Sequence, residues 1–179
     1  MSPRLRASGR VRGVFQKRFL ALLSLAAVLG CAHGPLADID PSALSLTDTR
    51  GQRLRLSAYA GQVLLVNFFA TWCFFCLGDV PRLEELQERR GKDGLQVVGI
   101  GLDREGLEVL VPFRDYYHLT YPVLVGADRF GVAGLPFAPV TTLPTSFLVG
   151  RDGKVLERWE GVLPAKLLEQ IVDAALRRR

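Results

Sequence analysis

Val63-Leu-Leu-Val-Asn-Phe-Phe-Ala-Thr-Trp-Cys-Phe-Phe-Cys76 decides how the rest of the chain is read. Val63–Phe69 is a continuous apolar run of strand length, apart from Asn67. Such a run suits a strand buried on both faces, as at the centre of an α/β sheet. Ala70-Thr71-Trp72 makes a short turn, and two cysteines separated by two residues follow. A helical pattern starts at once. The pair is therefore presented at a helix N-terminus, where unpaired N–H groups and the positive dipole end favour an anion.

That helix is expected from Cys73 to about Arg90. Leu77, Val80, Leu83 and Leu86 repeat at three-residue spacing, with Glu84, Glu85, Glu88, Arg89 and Arg90 on the other face. Pro81 lies inside it and is expected to kink it. Gly91–Gly94 ends it, and Leu95–Gly101 reads as a second buried strand. Upstream, Leu44–Leu56 alternates around Thr47–Gly51 and predicts a β-hairpin. Leu56–Gly61 then predicts a short helical turn. Downstream, Glu105–Tyr117 reads as a helix that Pro112 interrupts. Tyr121–Val125 reads as a short strand and Asp128–Gly131 as a turn. Thr142–Val149 is a strand entered through Pro144. Gly150-Arg-Asp-Gly153 has hairpin chemistry, and Val155–Glu160 is the partner strand. Pro164–Arg177 closes the chain as an amphipathic helix with Leu167, Leu168, Ile171, Val172 and Ala175 on its apolar side. The order predicts an α/β fold with a central mixed β-sheet, helices on both faces and an N-terminal β-hairpin. One domain is expected over 42–179.

Residues 1–30 differ from the rest. They carry Arg4, Arg6, Arg10, Arg12, Lys17 and Arg18 and no acid. The formal net charge of +5 belongs to this leader, because Cys31 onward holds 17 Lys+Arg against 18 Asp+Glu. The charge therefore gives no reason to expect a nucleic-acid partner. Arg177-Arg178-Arg179 reads as a solvated helix end. Phe19–Gly30 is an apolar run of 12 residues that ends in a small residue before Cys31. A basic segment, a short apolar run and a small residue describe a secretory signal, too short to span a bilayer comfortably. Val28-Leu29-Gly30-Cys31 resembles the lipobox of bacterial lipoproteins, which are cleaved before the Cys and acylated on its sulfur. That resemblance implies a lipid anchor at Cys31. Plain cleavage nearby and an uncleaved anchor are the competing readings. Ala32 in place of Asp leaves the outer membrane open as a destination. Ala32–Pro41, with Gly34, Pro35 and Pro41, reads as part of a tether over 31–41.

The chain has three cysteines, so at most one intramolecular disulfide can form. Cysteine reacts as the thiolate, and Cys-x-x-Cys motifs lower the thiol pKa to about 3.5–7.5. Cys73 at the helix start is the expected attacking thiol. Cys76 lies about one turn in and would resolve a mixed disulfide by attacking Cys73. Other readings compete. Zinc needs about four ligands, and His33 and His118 are the only histidines. A purely structural bridge would close a very short loop and add little stability. A haem site would need His after the second Cys, and Leu77 stands there.

Phe68-Phe-Ala-Thr-Trp-Cys-Phe-Phe-Cys76 resembles the active site of the thioredoxin superfamily. Asn67 and Leu77-Gly-Asp-Val-Pro81 resemble its TlpA/ResA/DsbE branch, of Redoxin/AhpC-TSA type. Thr142-Leu-Pro-Thr-Ser-Phe-Leu-Val149 with Asp152-Gly153-Lys154-Val155 resembles that family's cis-proline segment and closing hairpin. The likeness implies a thioredoxin fold, with Trp72, Cys73, Cys76 and Pro144 in the active site and a redox disulfide Cys73–Cys76. Pro144 would face that disulfide and shape a groove for a substrate cysteine segment. Asn67 occupies a position similar to thioredoxin's buried Asp. Asp79 matches the acid that this branch places after the second Cys, and could exchange the proton of Cys76. A plain helix-start acid is the other reading of Asp79. Phe75 departs from the proline usual before the second Cys. The dipeptide between the cysteines tunes a potential that runs from about −270 mV in thioredoxin to about −120 mV in DsbA.

The resemblance implies an extracytoplasmic, membrane-tethered thiol:disulfide oxidoreductase. It would reduce disulfides of exported proteins, apocytochromes c among them, with electrons from a membrane thiol donor of DsbD/CcdA type. A monomer without a cofactor is expected. Thiol peroxidase chemistry on the same scaffold is one alternative, but its Pro-x-x-x-Thr/Ser-x-x-Cys stretch is absent. A Sco-type copper chaperone is another, but it uses a longer Cys spacing and a distant His.

Overall fold

In chain order the strands are β1 (Ser45–Asp48), β2 (Arg53–Arg55), β3 (Val63–Phe69), β4 (Leu95–Gly101), β5 (Val123–Val125), β6 (Thr145–Val149) and β7 (Val155–Glu160). The α-helices are α1 (Phe74–Arg90), α2 (Leu107–Tyr116) and α3 (Ala165–Arg177). The computed structural model describes residues 43–126, 137 and 139–178. The leader, the tether, Cys31 and the turn expected at 128–131 lie outside the described residues.

The strands form one mixed sheet in the order β2-β1-β5-β4-β3-β6-β7. β3 runs parallel to β4 and β4 parallel to β5, through crossovers that contain α1 and α2. The remaining neighbours are antiparallel. β3 sits between β4 and β6 and is buried along its whole length. Its alternate side chains feed two cores, as strand geometry requires. Val63, Leu65 and Phe69 enter one, with Val80, Leu83 and Leu86 of α1, Leu110 of α2, and Leu168 and Val172 of α3. Leu64, Val66 and Phe68 enter the other, with Leu44, Leu46, Leu56, Phe137 and Phe147. Leu56 opens a 3-10 turn, Leu56–Tyr59. Among the described residues, helical segments thus contribute on both sides of the sheet, while the three α-helices share one.

Several details differ from the expectations. α2, expected to be interrupted at Pro112, is continuous through it. Pro112 and Glu108 are both exposed, so the carbonyl that loses its helical donor can be hydrated. α2 begins after Gly106, whose φ of 57° suits glycine, and not at Glu105. β5 begins at Val123 because Pro122 has no N–H to give the ladder; its carbonyl still accepts from the Gly99 N–H at 2.9 Å. Leu167, expected on the apolar side of α3, is exposed. Glu84, expected on the polar side of α1, is buried and accepts the Thr120 N–H at 2.8 Å.

Candidate active site

The end of β3 delivers the chain to the site. Phe68 pairs with Thr145 across the β3–β6 ladder. Pro144, one residue earlier, therefore lies at the sheet end from which the Ala70–Trp72 turn emerges. The Leu143–Pro144 peptide bond is cis. The Pro144 carbonyl accepts the Gly161 N–H at 2.7 Å, which ties the proline loop to the end of β7.

Cys73 is the N-cap of α1, and its Sγ accepts the Cys76 N–H at 3.2 Å. The helix start thus aims a backbone donor at this sulfur, the arrangement that stabilises a thiolate when the pair is reduced. A disulfide joins Cys73 to Cys76, with Cα atoms 5.2 Å apart. The two sulfurs differ in access. Cys73 is 7% exposed, whereas Cys76 is fully buried. An incoming group can reach the first and not the second.

Asp79 is buried on α1, one turn past Cys76. Burial pushes its carboxyl up from 3.8 to about 6, against the pull of the Arg82 guanidinium. That guanidinium is 3.9 Å from Asp79 Oδ1 and donates to the Leu163 carbonyl at 2.8 Å, which holds it over the acid. An acid poised near 6 can take and return a proton close to neutral pH. Buried Tyr121 feels the charges of Glu84 and Asp79. Desolvation and these charges push its phenol well above its ordinary range.

Two supports of the site come from polar residues that the sequence reading did not single out as such. Asp103, buried just past β4, accepts the Thr71 N–H at 3.0 Å and the Thr71 hydroxyl at 2.6 Å. It fixes the turn that carries Trp72 and Cys73. Its signal in the sequence is its place: an acid two residues past a buried strand beside the strand that bears the motif. Asn67 is buried in β3 and donates to Ser146 Oγ at 2.9 Å, joining the strand before the cysteines to the strand after Pro144. Trp72, Phe74 and Phe75 all project into solvent.

Residues 40–158 match the AhpC/TSA family. The chain belongs to that family. The thiol-disulfide oxidoreductase ResA of Bacillus anthracis is 32% identical over 126 residues, 69% of each chain. ResA of Bacillus subtilis is 27% identical over 128 residues, 72% of this chain and 69% of that one. Among solved structures, a thioredoxin-family thiol:disulfide interchange protein from Chlorobium tepidum is 27% identical. It superposes with a TM-score of 0.64 over 74% of this chain and 92% of its own. A secreted thiol-disulfide isomerase from Corynebacterium glutamicum shares the fold, with a TM-score of 0.68 at 18% identity over 75% of this chain and 84% of its own. This AhpC/TSA chain is thus a thioredoxin-fold thiol-disulfide oxidoreductase of ResA/DsbE type.

Proposed function

We propose that this oxidoreductase works outside the cytoplasm as a reductant of disulfides in exported proteins. The observation that carries the exchange chemistry is the asymmetry of the pair: Cys73 caps the helix at the surface, while Cys76 is buried behind it. The compartment and the direction of electron flow rest on the family resemblance. The Cys73 thiolate attacks one sulfur of the substrate disulfide. A mixed disulfide forms, and the other substrate sulfur leaves as a thiolate. Asp79 then takes the Cys76 proton, and Cys76 attacks Cys73 Sγ. The Cys73–Cys76 disulfide forms, and the substrate leaves with both sulfurs reduced. Two electrons pass to the substrate, and a membrane thiol donor of DsbD/CcdA type returns two to the pair. Pro144 borders the groove in which the substrate segment lies, and Trp72 borders the attacking sulfur.

Apocytochromes c before haem attachment are within the proposed substrate class. The basic leader 1–30 directs export, Cys31 carries the lipid, 31–41 is the tether and 42–179 is the catalytic domain. Ala32 leaves the anchor free to reach an outer membrane. The proposed working form is a monomer.

Insulin reduction tests the assignment of the two sulfurs. Cys73→Ser is expected to abolish it. Cys76→Ser is expected to accumulate a mixed disulfide that survives on a non-reducing gel. Reduction that persists in Cys73→Ser would overturn the assignment.

A further inference from the structure

Asp79 can accept the Cys76 proton only while it is ionised, and its burial works against that. Among the described residues a single cation bears on it, Arg82, one turn further along α1. The guanidinium stands 3.9 Å from Asp79 Oδ1, too far to donate a hydrogen bond. It draws on the acid by charge and leaves that oxygen able to bind a proton. Its position is set from elsewhere. Arg82 Nη2 donates to the Leu163 carbonyl at 2.8 Å, in the segment between β7 and α3. Two residues earlier in that segment, the Gly161 N–H donates to the Pro144 carbonyl at 2.7 Å. One short loop thus braces both the proline loop and the cation over the acid. The other titratable groups nearby supply no positive charge to Asp79. Tyr121, on the segment before β5, stays a neutral phenol. The Glu84 carboxylate of α1 accepts the Thr120 N–H and hydroxyl. Arg89 and Arg90, further along α1, pair with Glu169 and Asp173 of α3.

We propose that Arg82 is a positioning residue for the resolving step: anchored by the Leu163 carbonyl, it keeps Asp79 ionised near neutral pH so that the acid can take the Cys76 proton. The proposal rests on the oxidoreductase reading above and names a residue that governs its second step. Cys76 is fully buried, so its thiol does not ionise readily without a base. The Asp79 carboxylate takes the proton. An electron pair of the Cys76 sulfur then forms the bond to Cys73 Sγ, and the bond from Cys73 to the substrate breaks with its pair on the substrate sulfur. That sulfur takes a proton from Asp79 or from water. Arg82 touches none of the reacting atoms and acts through its charge. Burial pushes the Asp79 carboxyl up to about 6 against the pull of Arg82. Without that pull the carboxyl climbs further, and less of it is ionised at neutral pH.

Release of thionitrobenzoate tests this in the full chain. Reduced protein attacks dithiobis(nitrobenzoate) through Cys73, which frees one thionitrobenzoate and leaves the second in a mixed disulfide. Cys76 frees the second. The mixed disulfide is formed at about pH 4, where Asp79 is protonated, and the second release is followed after a jump to values between about pH 5 and 8. Arg82→Gln removes the charge and keeps an amide donor for Leu163. Its rate–pH midpoint is expected to move up by about one unit, with release about fivefold slower near pH 6 and within about twofold of the unaltered protein near pH 8. Arg82→Lys keeps the charge and is expected to hold the midpoint within about half a unit. In an Asp79→Asn background, Arg82→Gln is expected to leave the rate–pH profile unmoved. An unmoved midpoint in Arg82→Gln with Asp79 present, or a midpoint that moves as far in Arg82→Lys, would overturn the proposal. So would equal slowing at every pH, or a shift that persists without Asp79, since either makes Arg82 a mere brace between α1 and the Leu163 loop. A second release that survives in Cys76→Ser would instead overturn the oxidoreductase reading on which the proposal rests.

Discussion

Asp79 carries a charge that the fold makes expensive to hold. Its carboxyl titrates near 3.8 when exposed and is pushed up to about 6 by burial, with Arg82 opposing. Between those values the folded protein keeps a proton that the unfolded chain releases. Stability from this group is therefore fully present below about pH 4 and is lost as pH rises to about 6. The loss is on the order of 3 kcal/mol at 1.36 kcal/mol per pH unit. In Asp79→Asn, urea denaturation of the oxidised protein at several pH values should show that decline flattened. The same acid predicts a kinetic signature. The step that resolves the mixed disulfide should accelerate as pH rises through about 6, and Asp79→Asn should lose that rise and run about 10²-fold slower at pH 7. Rapid mixing of a preformed mixed disulfide across pH 5–8 reads both. A variant that retains the rise would remove Asp79 from the proton path.

The strands and helices set where these residues stand, and their legibility in the sequence follows from what each buries. Val63–Phe69 and Leu95–Gly101 have the bounds read from the sequence, because strands buried on both faces must be apolar throughout and are cut off sharply by turns. The pairing of Asp103 with Thr71 was not legible. A buried acid looks like any loop acid until the fold brings its partner to it. Glu84 was misassigned for a similar reason: helical spacing places it off the apolar stripe, and Thr120 from another segment covers it. Proline was over-weighted in α2, where an exposed position removes most of its cost. The disulfide Cys73–Cys76 and the cis bond before Pro144 were expected through the resemblance to the thioredoxin superfamily, which the Trp-Cys-x-x-Cys and Leu-Pro-Thr segments carry together. One close approach was hidden altogether. A Cβ on Gly101 of β4 would overlap the Leu110 side chain of α2. Gly101→Ala should therefore cost about 1–3 kcal/mol in urea denaturation, through the shift forced on α2. Unchanged stability would mean that α2 is free to move away from the sheet.

At the scale of the whole molecule, the proposed protein is an export leader, a lipid on Cys31 and a domain that carries one reactive pair. Acylation of Cys31 would take the third cysteine out of thiol chemistry and leave Cys73 and Cys76 to work together. Metabolic labelling of cells with a palmitate analogue should mark the protein, and Cys31→Ala should lose the label and leave the membrane fraction while insulin reduction persists. A label that survives in Cys31→Ala would contradict the anchor. The direction of electron flow is the central claim, because Phe74-Phe75 departs from the dipeptide that the family resemblance leads one to expect and lies between the two cysteines of the same disulfide. It is tested most directly by the reduction potential of Cys73–Cys76, measured by equilibration in glutathione or dithiothreitol buffers. A reductant requires a value well below about −200 mV, and a value near the roughly −120 mV of DsbA would contradict the account and make the protein an oxidant.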